Sequence, residues 1–311
     1  MEESKISIGT HYLSYSITGP ARAPKEPLVV VTAGSGDVAS AYVAVESQVS
    51  RFARIFLYDR SGLGHSERGP NPPSTATAAK ELHTLLQATK QQPPFLLVAH
   101  SYGGIIAREF LHSYPDEVGG MVLLDTFTEM ELDYFPYPNP NIDAVLGSLN
   151  MAQVTGLRAD TKLSREQWRQ RAMDMARGIE TAKDEVSPVR SVEIVRELAV
   201  HRQLETQPLG DKPLSVVRCN AARDHERIYA AGVEAGNGTE VQQKSFRNLL
   251  DRWDITADHL AREQLKLSSK TRYVYLPDCG HHVQLVRPDI VAEEVRWVVN
   301  QMRGPRDVSR L

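Results

Sequence analysis

Phe95-Leu96-Leu97-Val98-Ala99-His100-Ser101-Tyr102-Gly103-Gly104-Ile105-Ile106-Ala107 joins a short apolar run to an apolar helical run through a turn with a serine at its centre. Five apolar residues without polar alternation read as a strand buried on both faces, the pattern of a parallel sheet. The residues two places before and after the serine are Ala99 and Gly103. A serine on a sharp strand-to-helix turn sits in a strained backbone conformation, and bulk at those two places would strike the neighbouring strand and helix. The turn thus exposes a hydroxyl at a strand end, beside helix N-terminal amides that stabilise negative charge.

The same rhythm repeats on either side. Apolar, β-rich runs occur at Leu28 to Thr32, Ala53 to Tyr58, Met121 to Leu124, Leu214 to Val217 and Arg272 to Leu276, separated by stretches with helical periodicity. This alternation predicts an α/β architecture with a parallel sheet and crossover helices. Ile6 to Thr18 alternates apolar and polar residues and predicts an antiparallel hairpin at the sheet edge, turning near Gly9-Thr10. After Asp125 the rhythm breaks at Phe135-Pro136-Tyr137-Pro138-Asn139-Pro140, and amphipathic helical stretches run to about Gln207. Residues 1–126 and 208–311 are therefore expected to form the core, and 127–207 a helical insertion over the carboxyl ends of the strands, where open α/β sheets place ligands. The alternative is a structural excursion that touches no ligand.

Composition excludes several classes. Among 311 residues, 41% are hydrophobic and 24% charged, ordinary for a globular protein. A net charge of −3 without a basic stripe argues against a nucleic-acid partner. Cys219 and Cys279 are too few for a disulfide scaffold or a cysteine-based zinc site, and His281-His282 supplies no spaced ligand set, so neither metal nor cofactor is expected. No run approaches the roughly 18 apolar residues of a membrane span, and no export signal precedes the first strand. The final Ser309-Arg310-Leu311 resembles the Ser-Lys-Leu address read by the peroxisomal import receptor. Peroxisomal location is expected on that ground, with the cytoplasm as the alternative; oligomeric state is not legible.

The serine turn resembles the Gly-x-Ser-x-Gly nucleophile elbow of the α/β-hydrolase superfamily, with Ala99 in place of the first glycine. Three further segments resemble that family. Thr32-Ala33-Gly34-Ser35-Gly36 is similar to its His-Gly-x-Gly oxyanion turn, with Ala33 for the histidine. Tyr58-Asp59-Arg60-Ser61-Gly62-Leu63-Gly64-His65-Ser66 is similar to its Asp-x-x-Gly-x-Gly-x-Ser loop and reads as scaffold. Leu276-Pro277-Asp278-Cys279-Gly280-His281-His282-Val283 is similar to its Gly-His loop. The resemblance implies a mostly parallel eight-stranded sheet with a helical cap after the sixth strand. It also implies Ser101 as nucleophile, His281 rather than His282 as base, and the backbone N–H groups of Ser35 and Tyr102 as oxyanion donors.

The family order of Ser, acid, His leaves two candidates for the acid. Asp125 directly follows Met121-Val122-Leu123-Leu124, whereas six residues separate Asp224 from Leu214 to Val217. The tighter spacing favours Asp125, with Asp224 as alternative. Gly34 in the oxyanion turn and His100 beside the nucleophile are expected to contact substrate, and Phe127, Tyr134, Tyr137 and Trp168 suit an apolar ligand. The implied reaction is cleavage of an ester, lactone or thioester of a small apolar metabolite through an acyl-enzyme. Two rivals remain: an isomerase, cyclase or lyase of specialised metabolism using the same pocket, and a ligand-binding protein with a vestigial triad.

Overall fold

The computed structural model describes residues 4–303, apart from the side chains of 188–191; Ser309-Arg310-Leu311 thus lie outside the described residues. Eight strands form one sheet: β1 Ser4–Ser7, β2 Tyr12–Thr18, β3 Leu28–Thr32, β4 Arg54–Tyr58, β5 Phe95–His100, β6 Val118–Leu124, β7 Leu214–Cys219 and β8 Thr271–Leu276. Their order is β1-β2-β4-β3-β5-β6-β7-β8. The hairpin pairs antiparallel with β4, and the pairs from β4 to β8 are parallel. The hairpin turn contains Gly9 at φ 96, a left-handed conformation that a residue with a Cβ adopts only under strain.

The continuous apolar runs are explained by burial on both faces. Val29, Val31, Leu96, Val98, Val122 and Leu124 face one side, where Val45, Val49, Val291, Val295 and Val298 from helices Val43–Val49 and Pro288–Arg303 cover them. The alternate residues Leu28, Val30, Leu97, Ala99, Met121 and Leu123 face the other side, against Leu82, Leu85, Phe110 and Leu111 of helices Thr75–Ala88 and Gly103–Ser113. Each fully buried side chain of this size contributes about 1.5–3 kcal/mol of transfer free energy. The central strands therefore hold their carboxyl ends rigidly in line.

Between β6 and β7 the chain forms a series of helices, among them Pro140–Leu146, Arg165–Arg177, Ile179–Glu185 and Pro188–Val200. Arg165–Arg177 begins with a capping box in which Ser164 and Gln167 satisfy each other's backbone N–H groups. The helical layer is not confined to 127–207. Between β7 and β8 the chain makes two further helices, Ala221–Glu234 and Glu240–Glu263. Val145, Ile228, Phe246 and Leu250 share one buried cluster, so these helices and the insertion pack as a unit. Gly232 permits the contact: a Cβ there would stand 2.2 Å from the Val145 carbonyl oxygen.

Candidate active site

Ser101 follows β5 at φ 53, left-handed for a residue with a Cβ, a conformation that typically costs 1–3 kcal/mol. Its surroundings impose it. The Ser101 N–H donates to the Leu124 carbonyl at the end of β6 (3.1 Å), and its own carbonyl accepts from Gly104 (2.9 Å) as the helix begins. A Cβ at Gly103 would lie 2.0 Å from the Thr32 carbonyl oxygen, and one at Gly104 2.4 Å from the Thr126 Cβ. Only glycine lets the helix start this close to β3 and β6.

Asp125 follows β6 and is also left-handed, at φ 47. Its carboxylate is pinned on both oxygens, Oδ1 accepting from the Cys219 N–H (2.9 Å) and Oδ2 from His281 Nδ1 (2.7 Å). A carboxylate here only accepts, so the bond fixes the proton on Nδ1 and leaves Nε2 as the basic nitrogen. Asp224 takes a different place. It lies in the first turn of the helix Ala221–Glu234, and its Oδ2 accepts the backbone N–H of His281 (3.0 Å). The two aspartates therefore hold one histidine, Asp125 by its ring and Asp224 by its backbone.

Burial alone would lower the His281 pKa, but the hydrogen bond and charge of Asp125, helped by Asp224 and Glu131, outweigh it and raise the value above the usual 6.5. If neutral His281 takes a proton during turnover, kcat/KM falls about tenfold per pH unit below that raised value. A pH–rate profile with its acidic limb centred below 6.5 would contradict the assignment. Burial, then the proximity of His281, holds His100 at about 3. His100 is thus neutral, and its Nε2–H donates to the His281 carbonyl (2.9 Å). Burial and the neighbouring His281 likewise push His282 well below the usual range.

The turn Ala33 to Gly36 faces this group, and a Cβ at Gly34 would lie 3.5 Å from the Ser101 Cβ. The turn is held from behind by a buried ion pair. Arg60 donates from Nε and Nη2 to Glu185 (both 2.9 Å), from Nη1 to the Ala33 carbonyl (2.7 Å) and from Nη2 to the Gly34 carbonyl (2.8 Å). Glu185, from the helix Ile179–Glu185, also accepts the Gly36 N–H (2.7 Å) and the Ser35 hydroxyl (3.1 Å). Burial opposes the charge on Arg60, yet Glu185 raises its pKa. Asp59, in the same loop, is scaffold: it accepts the N–H groups of Ala39 and His65.

Sequence reasoning did not single out Glu185, Glu131 or His225. Glu131 is pushed up to about 8, first by burial and then by the charge of Asp125. His225 is lowered to about 4 by burial, donates from Nδ1 to the Ala221 carbonyl (2.9 Å), and lies 4.0 Å from the Trp253 ring. No motif marks these residues, because their environment is set by burial and packing rather than by a local sequence pattern. Of the proposed ligand-lining residues, Phe127 packs with Tyr102, Ile105 and Ile106. The guanidinium groups of Arg158 and Arg171 lie 5.0 and 5.5 Å from the Trp168 ring centroid. Tyr134 and Tyr137 are at the surface, 37% and 46% exposed. Among the described residues, no helix is long and apolar enough to cross a membrane.

Comparisons with known proteins identify the family and the fold. The model of the alpha/beta hydrolase family matches residues 28–294, and the chain belongs to that family. It is 29% identical to an AB hydrolase superfamily protein of Gibberella zeae, over 94% of this chain and 92% of that protein. It is 30% identical to a probable transporter of Hormonema carpetanum, over 98% of this chain and 44% of that protein, so it spans less than half of that relative. Among solved structures, a putative lipase from Acinetobacter baumannii superposes with a TM-score of 0.66 at 17% identity, covering 97% of this chain and 92% of that one. A putative epoxide hydrolase from Pseudomonas aeruginosa superposes with a TM-score of 0.67 at 13% identity, covering 97% and 96%. At such identities the structural likeness is one of fold.

Proposed function

We propose that the chain is a serine hydrolase acting on an ester, lactone or thioester of a small apolar metabolite. The observation that carries this reading is the 2.7 Å bond from His281 Nδ1 to Asp125, on a histidine loop that packs over the strained Ser101 turn. In the first step, Ser101 Oγ attacks the substrate carbonyl carbon, the hydroxyl proton passes to His281 Nε2, and the carbonyl π electrons move onto oxygen. The Ser35 and Tyr102 amides stabilise that oxyanion. Collapse expels the alcohol or thiol, which takes the proton from His281. Water then attacks the acyl-enzyme with His281 again as base, releasing the acid and restoring Ser101. Asp125 orients the ring and stabilises its protonated form without taking the proton.

A fluorophosphonate probe tests the assignment directly. The native chain should be labelled on the peptide containing Ser101, and Ser101→Ala should remain unlabelled. Labelling elsewhere, or none in the folded native chain, would reject Ser101 as an activated nucleophile.

A further inference from the structure

We infer that Arg60 and Glu185 are positioning residues that orient the Ser35 amide toward the reacting oxygen, so that the oxyanion turn is completed by a carboxylate supplied from the insertion. The inference rests on the hydrolase reading and adds to it a role for residues outside the triad. It follows from an inventory of the turn's polar groups.

Four consecutive residues, Ala33 to Gly36, receive the bonds that Arg60 and Glu185 make outside their own pair. A carbonyl and the N–H of the same trans peptide point in opposite directions. Arg60 holds the Ala33 carbonyl, so the Gly34 N–H points away from it, toward the Tyr42 hydroxyl at 3.4 Å. Arg60 also holds the Gly34 carbonyl, so the Ser35 N–H points away from the ion pair too. The Gly36 N–H is taken by Glu185 and that of Asp37 by the Gly34 carbonyl (3.1 Å). Of the four amides from Gly34 to Asp37, this leaves the Ser35 N–H without a partner among the described residues. An amide in that condition is open to an acceptor from outside the fold, such as the oxygen of a bound substrate.

Arg60 also reaches the residue proposed as the second donor, its guanidinium lying 5.4 Å from the Tyr102 ring centroid. The approach of the insertion is sterically prepared. A Cβ at Gly36 would stand 2.7 Å from the Ala182 Cβ, and one at Gly62 2.3 Å from the Thr181 hydroxyl. Without bulk at either place, the helix Ile179–Glu185 comes close enough for its terminal carboxylate to reach the turn.

The test uses the full chain and two variants. Glu185→Gln keeps the shape but removes the charge that holds Arg60. Arg60→Lys keeps the charge but cannot span both carbonyls with one planar fork. The probe is an aliphatic trifluoromethyl ketone, which forms a tetrahedral adduct when Ser101 Oγ bonds to its carbonyl carbon, the hydroxyl proton passes to His281 Nε2 and the carbonyl π electrons move onto oxygen as negative charge. Active sites are first counted by fluorophosphonate labelling, and folding is followed by thermal melting. Removing one oxyanion donor typically lowers kcat by about 10²–10³, and a misdirected donor should cost part of that. Both variants should bind the ketone about 10–100-fold more weakly and lose kcat on p-nitrophenyl butyrate in proportion, with KM little changed. If the variants melt earlier but their labelled sites keep native kcat and ketone affinity, the pair is structural only and the inference falls. If the native chain itself is not labelled at Ser101, the hydrolase reading fails first and this role falls with it.

Discussion

Asp125→Asn is expected to lower turnover by about 10⁴-fold, the loss seen when a triad acid becomes an amide. Asparagine keeps the size of aspartate but carries no charge to hold the imidazolium, and its NH₂ favours the wrong histidine tautomer. Both oxygens of Asp125 are engaged, one by the Cys219 N–H and one by His281 Nδ1, so the substitution acts where the proton is located. Asp224→Asn should behave differently. Its bond is accepted from the His281 backbone N–H, and an asparagine carbonyl accepts the same bond. Turnover should therefore fall far less, and the main effect should be on the melting temperature. Measuring both quantities for both variants separates chemistry from support. The opposite ranking of turnover would move the acid to Asp224.

Ser101→Ala should lose at least about 1000-fold in turnover while staying folded. Alanine retains the Cβ and the backbone bonds to Leu124 and Gly104 that impose φ 53, so the turn is preserved and only the nucleophile is removed. Residual hydrolysis should remain above the uncatalysed rate, because an oxyanion site polarises a bound ester without any nucleophilic side chain. Steady-state kinetics on p-nitrophenyl butyrate, with the melting curve as control, measures it. An active, unlabelled Ser101→Ala protein would show that the chemistry runs through another group.

The strands were legible because burial on two faces leaves a simple mark. The run Leu28 to Thr32 has the same ends as β3, β4 starts one residue later than its run, and the strands β5 to β8 extend theirs by one to three residues. The turns that carry Ser101 and His281 stand out in the sequence because each is a short local pattern that includes small residues, and one of these has a clear steric cause, Gly103 against Thr32. The two helices between β7 and β8 were not separated from the core, since their apolar periodicity resembles that of any crossover helix and the packing partner, Val145, lies far away in sequence. The Arg60–Glu185 pair was invisible for the same reason: 125 positions separate its members. Asp125 and Asp224 were both plausible from spacing, and only three-dimensional placement distinguishes a ring contact from a backbone contact.

The close seating of the helix Ile179–Glu185 limits how freely this chain could exchange parts with its relatives. A segment grafted between β6 and β7 that lacks a carboxylate at the place of Glu185 would leave Arg60 buried without its counter-ion, at a cost of about 3–5 kcal/mol. Side chains bulkier than those of Thr181 and Ala182 would collide with the loops that carry Gly62 and Gly36. Arg60 in one part and Glu185 in the other thus act as a compatibility code. Chimeras that swap the insertion should melt earlier than the native chain unless both halves of the code travel together, so insertion exchange is open chiefly to partners that already share it.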